Sequence, residues 1–209
     1  MGNLIVHGVS KVRGGVYGLF SSNGEAVVDG GVECSILESS GTCNVLGNLK
    51  VEGKTKTVGA LLVGGDFQTE SFEMNGILEV LGTVDVEDFI GRGIVDFAGN
   101  ATAKNFYFEN EGMSKFPAIK AKRVKAISRH DMLSGTIEAF DESPQSKYIG
   151  FLLEVGEIVA DEIDLEWVVA ERVEGRVVRI GPGCVIGSLS YGLSLECSKE
   201  AQVGETKAY

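Results

Sequence analysis

Apolar and polar residues alternate along most of this chain, and the alternation comes in short, regularly spaced groups. In GILEVLG (76–82), Leu78 and Val80 stand two apart between glycines that are six apart. The same shape recurs at GEAVVDG (24–30), GTCNVLG (41–47), GALLVGG (59–65) and GIVDFAG (93–99), at steps of 17, 18, 17 and 17 residues. A period of two is strand spacing, because successive side chains of a strand point to opposite faces. Counting from the first glycine of each copy, position +2 reads Ala26, Cys43, Leu61, Leu78, Val95, and position +4 reads Val28, Val45, Val63, Val80, Phe97. Position +8 reads Val32, Leu49, Phe67, Val84, Ala101, and +10 reads Cys34, Val51, Thr69, Val86, Ala103. Position +13 reads Leu37, Lys54, Phe72, Phe89, Phe106.

The spacing predicts three short strands per repeat, each followed by a corner. Glycines mark the corners because they bend or take positive φ at little steric cost. One such rung cannot bury its inner face alone, so rungs must stack, about 4.8 Å apart. The predicted fold is all-β, a right-handed parallel β-helix of about 17 residues per coil with a triangular cross-section. Right-handed crossovers are the rule for parallel strands, and a step of 17 loses the strict hexapeptide phase of left-handed β-helices.

Lys54 breaks the +13 column, in the repeat that holds one extra residue. An insertion in that arm would turn Thr55 and Thr57 inward and Lys54 and Lys56 outward. The pattern continues, more worn, through Pro117, Ile119, Ala121 and Val124, then Gly135, Ile137 and Ala139. GFLLEVG (150–156) restores it, followed by Ile158, Ala160 and Ile163; Val173, Val178, Ile180, Val185, Leu189 and Tyr191 extend it. That predicts about ten coils, a rod of roughly 45–50 Å. DESPQSK (141–147) reads as a loop interrupting a coil. The domain organisation is one β-helix over 1–197 and a polar C-terminal tail over 198–209.

Composition narrows the chemistry. The 209 residues hold 29 Gly without a collagen period, and the net charge of −11 disfavours nucleic-acid binding. Cys34, Cys43, Cys184 and Cys197 form no C-x2-C pair and lie far from His7 and His130, so no zinc site is expected. Buried free thiols are the plainer reading, with a Cys34–Cys43 disulfide as the alternative. The N-terminus lacks the charged and apolar regions of a signal peptide, and the expected location is the cytoplasm. Leu4-Ile5-Val6 reads first as a strand, and second as a patch for peripheral contact with the inner face of the cell membrane.

Several motifs imitate chemistry. GNLKVEGKT (47–55) resembles a phosphate loop but has five residues between its glycines and lies inside the repeat. GPGCVIG (181–187) lacks a βαβ setting. Ile180-Gly181 and Ile186-Gly187, six apart, suggest a hexapeptide-type acyltransferase, with His130 as the available base. Asp85 and Glu87, near Thr102 and Lys104, are where a carbohydrate enzyme would keep a carboxylate pair. A basic stretch (Lys115, Lys120, Lys122, Arg123, Lys125, Arg129) precedes an acidic one (Asp161, Glu162, Asp164, Glu166, Glu171, Glu174). Solvated faces are the plain reading, and mutual attraction between molecules the functional one. No catalytic, cofactor-binding or metal residue is assigned, and no cofactor is expected.

GGVYGLF near the start, the coils typified by GILEVLGTVDVEDF, and ERVEGRVVRIGPGCVIGSLSY together resemble the bactofilins, polymer-forming bacterial cytoskeletal proteins. The resemblance covers most of residues 14–191, and the C-terminal segment is similar to the variant found in Gram-positive bacteria. It implies a right-handed β-helix that is no enzyme and polymerises end to end without nucleotide. It also implies scaffolding of cell-shape, motility or envelope functions. The implied partners are further copies of the chain, a related paralogue, or membrane-associated envelope or motility proteins, with no nucleic acid. The first coils (Val9–Phe20) and last coils (Val178–Leu195) are the expected contact surfaces, because end coils of a solenoid offer unpaired backbone groups.

Overall fold

A computed structural model describes residues 2–129 and 152–209. Ten strands form one sheet in sequential order, every neighbouring pair parallel. They are β1 (Leu4–Val45), β2 (Leu49–Val63), β3 (Phe67–Val80), β4 (Val84–Phe97), β5 (Ala101–Asn110) and β6 (Ser114–Ser128). β7 (Leu153–Glu166), β8 (Val168–Ile180), β9 (Val185–Cys197) and β10 (Gln202–Ala208) follow. The chain is a β-solenoid with coils of about 17 residues.

The columns read from the sequence stand in register. Val45, Val63, Val80 and Phe97 pair in succession, and so do Cys43, Leu61, Leu78 and Val95. All eight are buried. The third side of the coil stacks Leu37, Thr55, Phe72, Phe89, Phe106, Val124, Ile163, Val178 and Leu195. In mid-rod the interior becomes aromatic: Phe89 stacks on Phe106 with ring centroids 4.5 Å apart, and Phe72 meets Phe89 edge-on at 5.4 Å.

The extra residue acts as expected. The register slips between Val51 and Lys54, so Thr55 and Thr57 are buried while Lys54 points out. Thr55 Oγ1 and Thr69 Oγ1 lie 3.0 Å apart, which satisfies two hydroxyls inside the core. Lys54 Nζ reaches Glu73 at 2.6 Å on the surface.

Four expectations need correction. The coil does not break into three strands, because pairing continues through corners. Gly41, Gly59, Gly76 and Gly93 pair with one another at φ of 106°, 114°, 133° and 131°, a region closed to other L residues. A Cβ on Gly76 would press into the Gly59 carbonyl of the coil below. In β2–β5 the strands break instead around the second glycine of G-x5-G, as at Leu81–Thr83.

The later coils are also shorter, since Ile158 pairs with Val173, 15 residues on. Each of two corners has lost one residue there. Val155 to Ile158 spans three positions where Val80 to Val84 spans four, and Leu165 to Val168 spans three where Gly91 to Val95 spans four. Trp167 turns the latter corner at φ 57°.

The third correction concerns the interrupted region. β7 pairs directly with β6, Ile119 to Ile158 and Val124 to Ile163, so the coil that follows β6 in the stack is the one begun at Leu153. Gly135, Ile137 and Ala139, the 141–147 loop, Gly150 and His130 lie outside the described residues. Finally, 198–209 is polar but is no tail. It contains β10, whose Gln202–Ala208 pairs along Val185–Tyr191 of β9.

Candidate functional site

Any site on this rod must be built from outward side chains, corners or ends, because the interior is filled. The proposed carboxylate pair lies on an outer side in a shallow groove with Lys50, Glu52, Gln68 and Glu70. Asp85 there accepts a 2.7 Å hydrogen bond from Thr102 Oγ1, as a surface ladder would provide. Among the described residues no group of three or more His, Cys, Asp or Glu could hold a metal ion. All four cysteines are free, so the disulfide alternative for Cys34 and Cys43 is not formed. Burial pushes their thiols up, to about 11 for Cys34 and about 12 for Cys43, and Cys184 likewise to about 11. Cys197 alone is exposed.

The phosphate-loop imitation at 47–55 runs along β2 of the coil wall. GPGCVIG forms the corner between β8 and β9, where Cys184 is buried and Gly183, at φ 67°, lies against the Trp167 ring. That corner offers packing where a transferase would need an acyl-binding cleft.

The basic and acidic stretches meet each other within one molecule. β6 lies on β7, which sets Lys115 beside Glu154, Arg123 beside Glu162, and Lys125 beside Asp164. The ion pairs measure 3.5 Å for Lys115–Glu154 and 3.1 Å for Lys125–Asp164. Arg179 on the next coil reaches the same Asp164 at 3.6 Å, and Arg172 reaches Glu157 at 3.0 Å. Exposed pairs contribute little stability singly, about 0–1 kcal/mol. β6 carries no carboxylate and β7 no Lys or Arg, so the two coils attract each other along their whole outer faces.

Two polar devices escaped the sequence reading. Where the glycine column ends, Asn110 takes the place above Gly93 and is fully buried. Its Nδ2 donates to Gly112 O at 2.7 Å and Ser128 Oγ at 3.1 Å, and Ser114 Oγ donates to its Oδ1 at 2.6 Å. At the other glycine corner, Asn48 Oδ1 accepts from Asp66 N, and Asp66 Oδ1 accepts from Thr83 N and Thr83 Oγ1, both at 2.8 Å. The Thr83 amide and hydroxyl hold the Asp66 carboxyl below the usual carboxylate range. Asn, Asp and Thr recurring beside the corner glycine were the available signal.

The expected contact surfaces lie at the two ends of the described rod. Ile5, Val9 and Val16 of β1 are 57%, 80% and 53% exposed, while Leu4, Val12 and Tyr17 pack partly against the core. At the far end Leu193 is 67% exposed, with Tyr191, Leu195 and Val203 partly buried.

No family model matches the chain, and no solved structure matches it. A stretch of 55 residues is 40% identical to the uncharacterized protein YhbF of Bacillus subtilis (strain 168), covering 24% of this chain and 23% of that protein. The chain thus spans under a quarter of the length of the curated relative it matches.

Proposed function

We propose that this chain is a non-enzymatic structural scaffold, similar to the bactofilins, that self-associates end to end into nucleotide-independent cytoskeletal polymers. The observation that carries the reading is the pairing of a filled interior with apolar, partly covered ends, at Ile5, Val9 and Val16 and at Leu193 and Leu195. A parallel sheet that stops exposes a row of N–H and C=O groups, and a second coil satisfies them by strand addition. Assembly of this kind needs no fuel. The proposed location is the cytoplasm, with Ile5 the side chain of Leu4–Val6 available for contact with the inner membrane face, since Val6 is buried. Partner proteins are further copies, a paralogue, or membrane-associated envelope or motility proteins.

Electron microscopy and sedimentation of the purified protein without nucleotide test the proposal. Rods that lengthen with concentration are expected. Particles that stay monomeric over a wide concentration range would defeat it.

A further inference from the structure

One outer strip of the rod keeps its charges unpaired. It flanks the column that runs Val51, Thr69, Val86, Ala103, Ala121. Over β2–β4 it exposes Glu52, Glu70, Asp85 and Glu87 against the single cation Lys50. Over β5–β8 it exposes Lys104, Lys120, Lys122 and Arg176.

The register stacks like charges along this strip. Glu70 lies under Glu87, between the pairs Thr69–Val86 and Ser71–Asp88. Lys104 lies under Lys122, between Ala103–Ala121 and Asn105–Arg123. Like charges opposite each other on neighbouring strands repel. Elsewhere successive coils bring opposite charges into contact, as at Lys54–Glu73, Arg92–Glu111 and Lys125–Asp164. Among the described residues, Glu70, Glu87, Lys104, Lys120, Lys122 and Arg176 make no ion pair. A row of carboxylates followed by a row of cations is unfavourable alone, yet it complements the same strip turned end for end.

A second copy supplies that strip. With a two-fold axis across the rod between Glu87 and Lys104, Glu87 faces Lys104 of the second copy and Glu70 faces its Lys122. On the neighbouring row Gln68 faces Lys120, and Asp85 faces Thr102. The symmetry makes each contact twice. Like pairs fall only at the margins, Glu52 against Asp161 and Glu33 against Glu174. Lys50 and Arg176 stand beside the first, and Glu174 already holds Arg172. In a chain of net charge −11, side-by-side approach is repulsive except where a basic row meets an acidic one.

We propose that two copies of this chain pair side by side and antiparallel through this strip. The contact is separate from the ends of the rod and does not depend on end-to-end assembly.

Zero-length cross-linking tests the pairing. Isotope-labelled and unlabelled full-length protein are mixed, treated with a carbodiimide, digested and read by mass spectrometry. Within one chain Glu70 and Lys122 are three coils apart, about 14 Å, so a link between them reports a second copy. The expected product is a Glu70–Lys122 link with one labelled and one unlabelled half, lost at high salt. Its absence would overturn the side-by-side pairing, whether or not the rods lengthen with concentration. Two charge variants provide the second arm, all four substitutions being on exposed positions. Glu70→Lys with Glu87→Lys makes the strip mainly positive, and Lys104→Glu with Lys122→Glu makes it mainly negative. Each variant alone is expected to sediment without lateral pairs, and an equal mixture of the two to pair and link positions 70 and 122 between copies. A single variant that pairs as well as the parent, or a mixture of folded variants that fails to link, would contradict the proposed contact.

Discussion

The coils over Gly24–Gly93 and the coils of β7–β9 solve the same problem with different corners. In the first region the corner at position 0 is a glycine with φ above 100°, stacked directly on the glycine of the coil below. In the second, Trp167 turns that corner at φ 57°, and two corners each drop a residue, so that a coil takes 15. Left-handed φ is open to a non-glycine residue at a cost of about 1–2 kcal/mol, whereas the backbone-on-backbone approach of the glycine column is not. The first region thus writes its period into the sequence and the second hides it. Ion pairs between coils occur in both regions, Lys54–Glu73 in the first and Lys125–Asp164 and Arg172–Glu157 in the second.

The largest effect should come from the columns the two regions share. Val80→Asp places an unpaired carboxylate in a fully buried column and should cost more than about 4 kcal/mol, or abolish folding, in urea denaturation. Glu79→Ala, one residue away on the outer side, should change stability by less than about 0.5 kcal/mol. Equal losses would refute the assignment of inner and outer faces.

Next come the corners. Gly76→Ala meets both a φ of 133° and the Gly59 carbonyl, and should cost about 2–4 kcal/mol. Trp167→Gly relieves a left-handed residue but loses a ring packed on Gly183, so its loss should be smaller than that of Gly76→Ala. The reverse order would break the distinction between the two kinds of corner. Asn110→Ala, at the rung where the glycine column ends, should cost about 2–3 kcal/mol by leaving Ser114 and Ser128 without their buried partner.

Solution conditions sharpen the contrast more gently. Cys34, Cys43 and Cys184 stay protonated in the folded state to about 11–12, while an unfolded thiol ionises near its ordinary value of 9.0. The folded state then binds more protons than the unfolded one above pH 9, so stability should fall as pH rises from there toward 11–12. Cys43→Ala should flatten that slope in urea midpoints measured across the range. A thiol reagent should modify Cys197 rapidly and the other three only on unfolding. Smallest of all, Lys125→Ala should cost under about 1 kcal/mol, and less in high salt.

How much of this was legible follows the same division. Over residues 24–106 the columns, the inward facing of Thr55 and the outward facing of Lys54 were readable, because glycine corners fix the phase of every strand between them. The ends of that legibility are physical. Trp167 turns its corner in the left-handed region, where its residue type gives no turn signal, and Asn110 ends the glycine column through buried hydrogen bonds that only the fold brings together. β10 has polar exposed residues because it covers an end of the rod, and alternation of hydrophobicity cannot mark a strand that buries so little. The pairing of Lys115–Arg129 with residues 154–166 needed the register of β6 on β7, which 24 intervening residues conceal. No constellation of catalytic residues emerged from the sequence, and the features that support assembly lie at coil edges, where unpaired backbone leaves no residue code.

The central claim is that consecutive repeats stack in register one strand apart, and spin labels on the outer face measure that spacing. Lys50 pairs with Gln68, and Gln68 with Asp85, all three exposed. With Cys197 replaced by Ser, nitroxides at 50 and 68 should show strong spin exchange, as for neighbouring strands about 4.8 Å apart, and labels at 50 and 85 weaker coupling at about twice that distance. Sharp, uncoupled spectra from the 50/68 pair, or coupling no weaker for 50/85, would contradict the stacked coil.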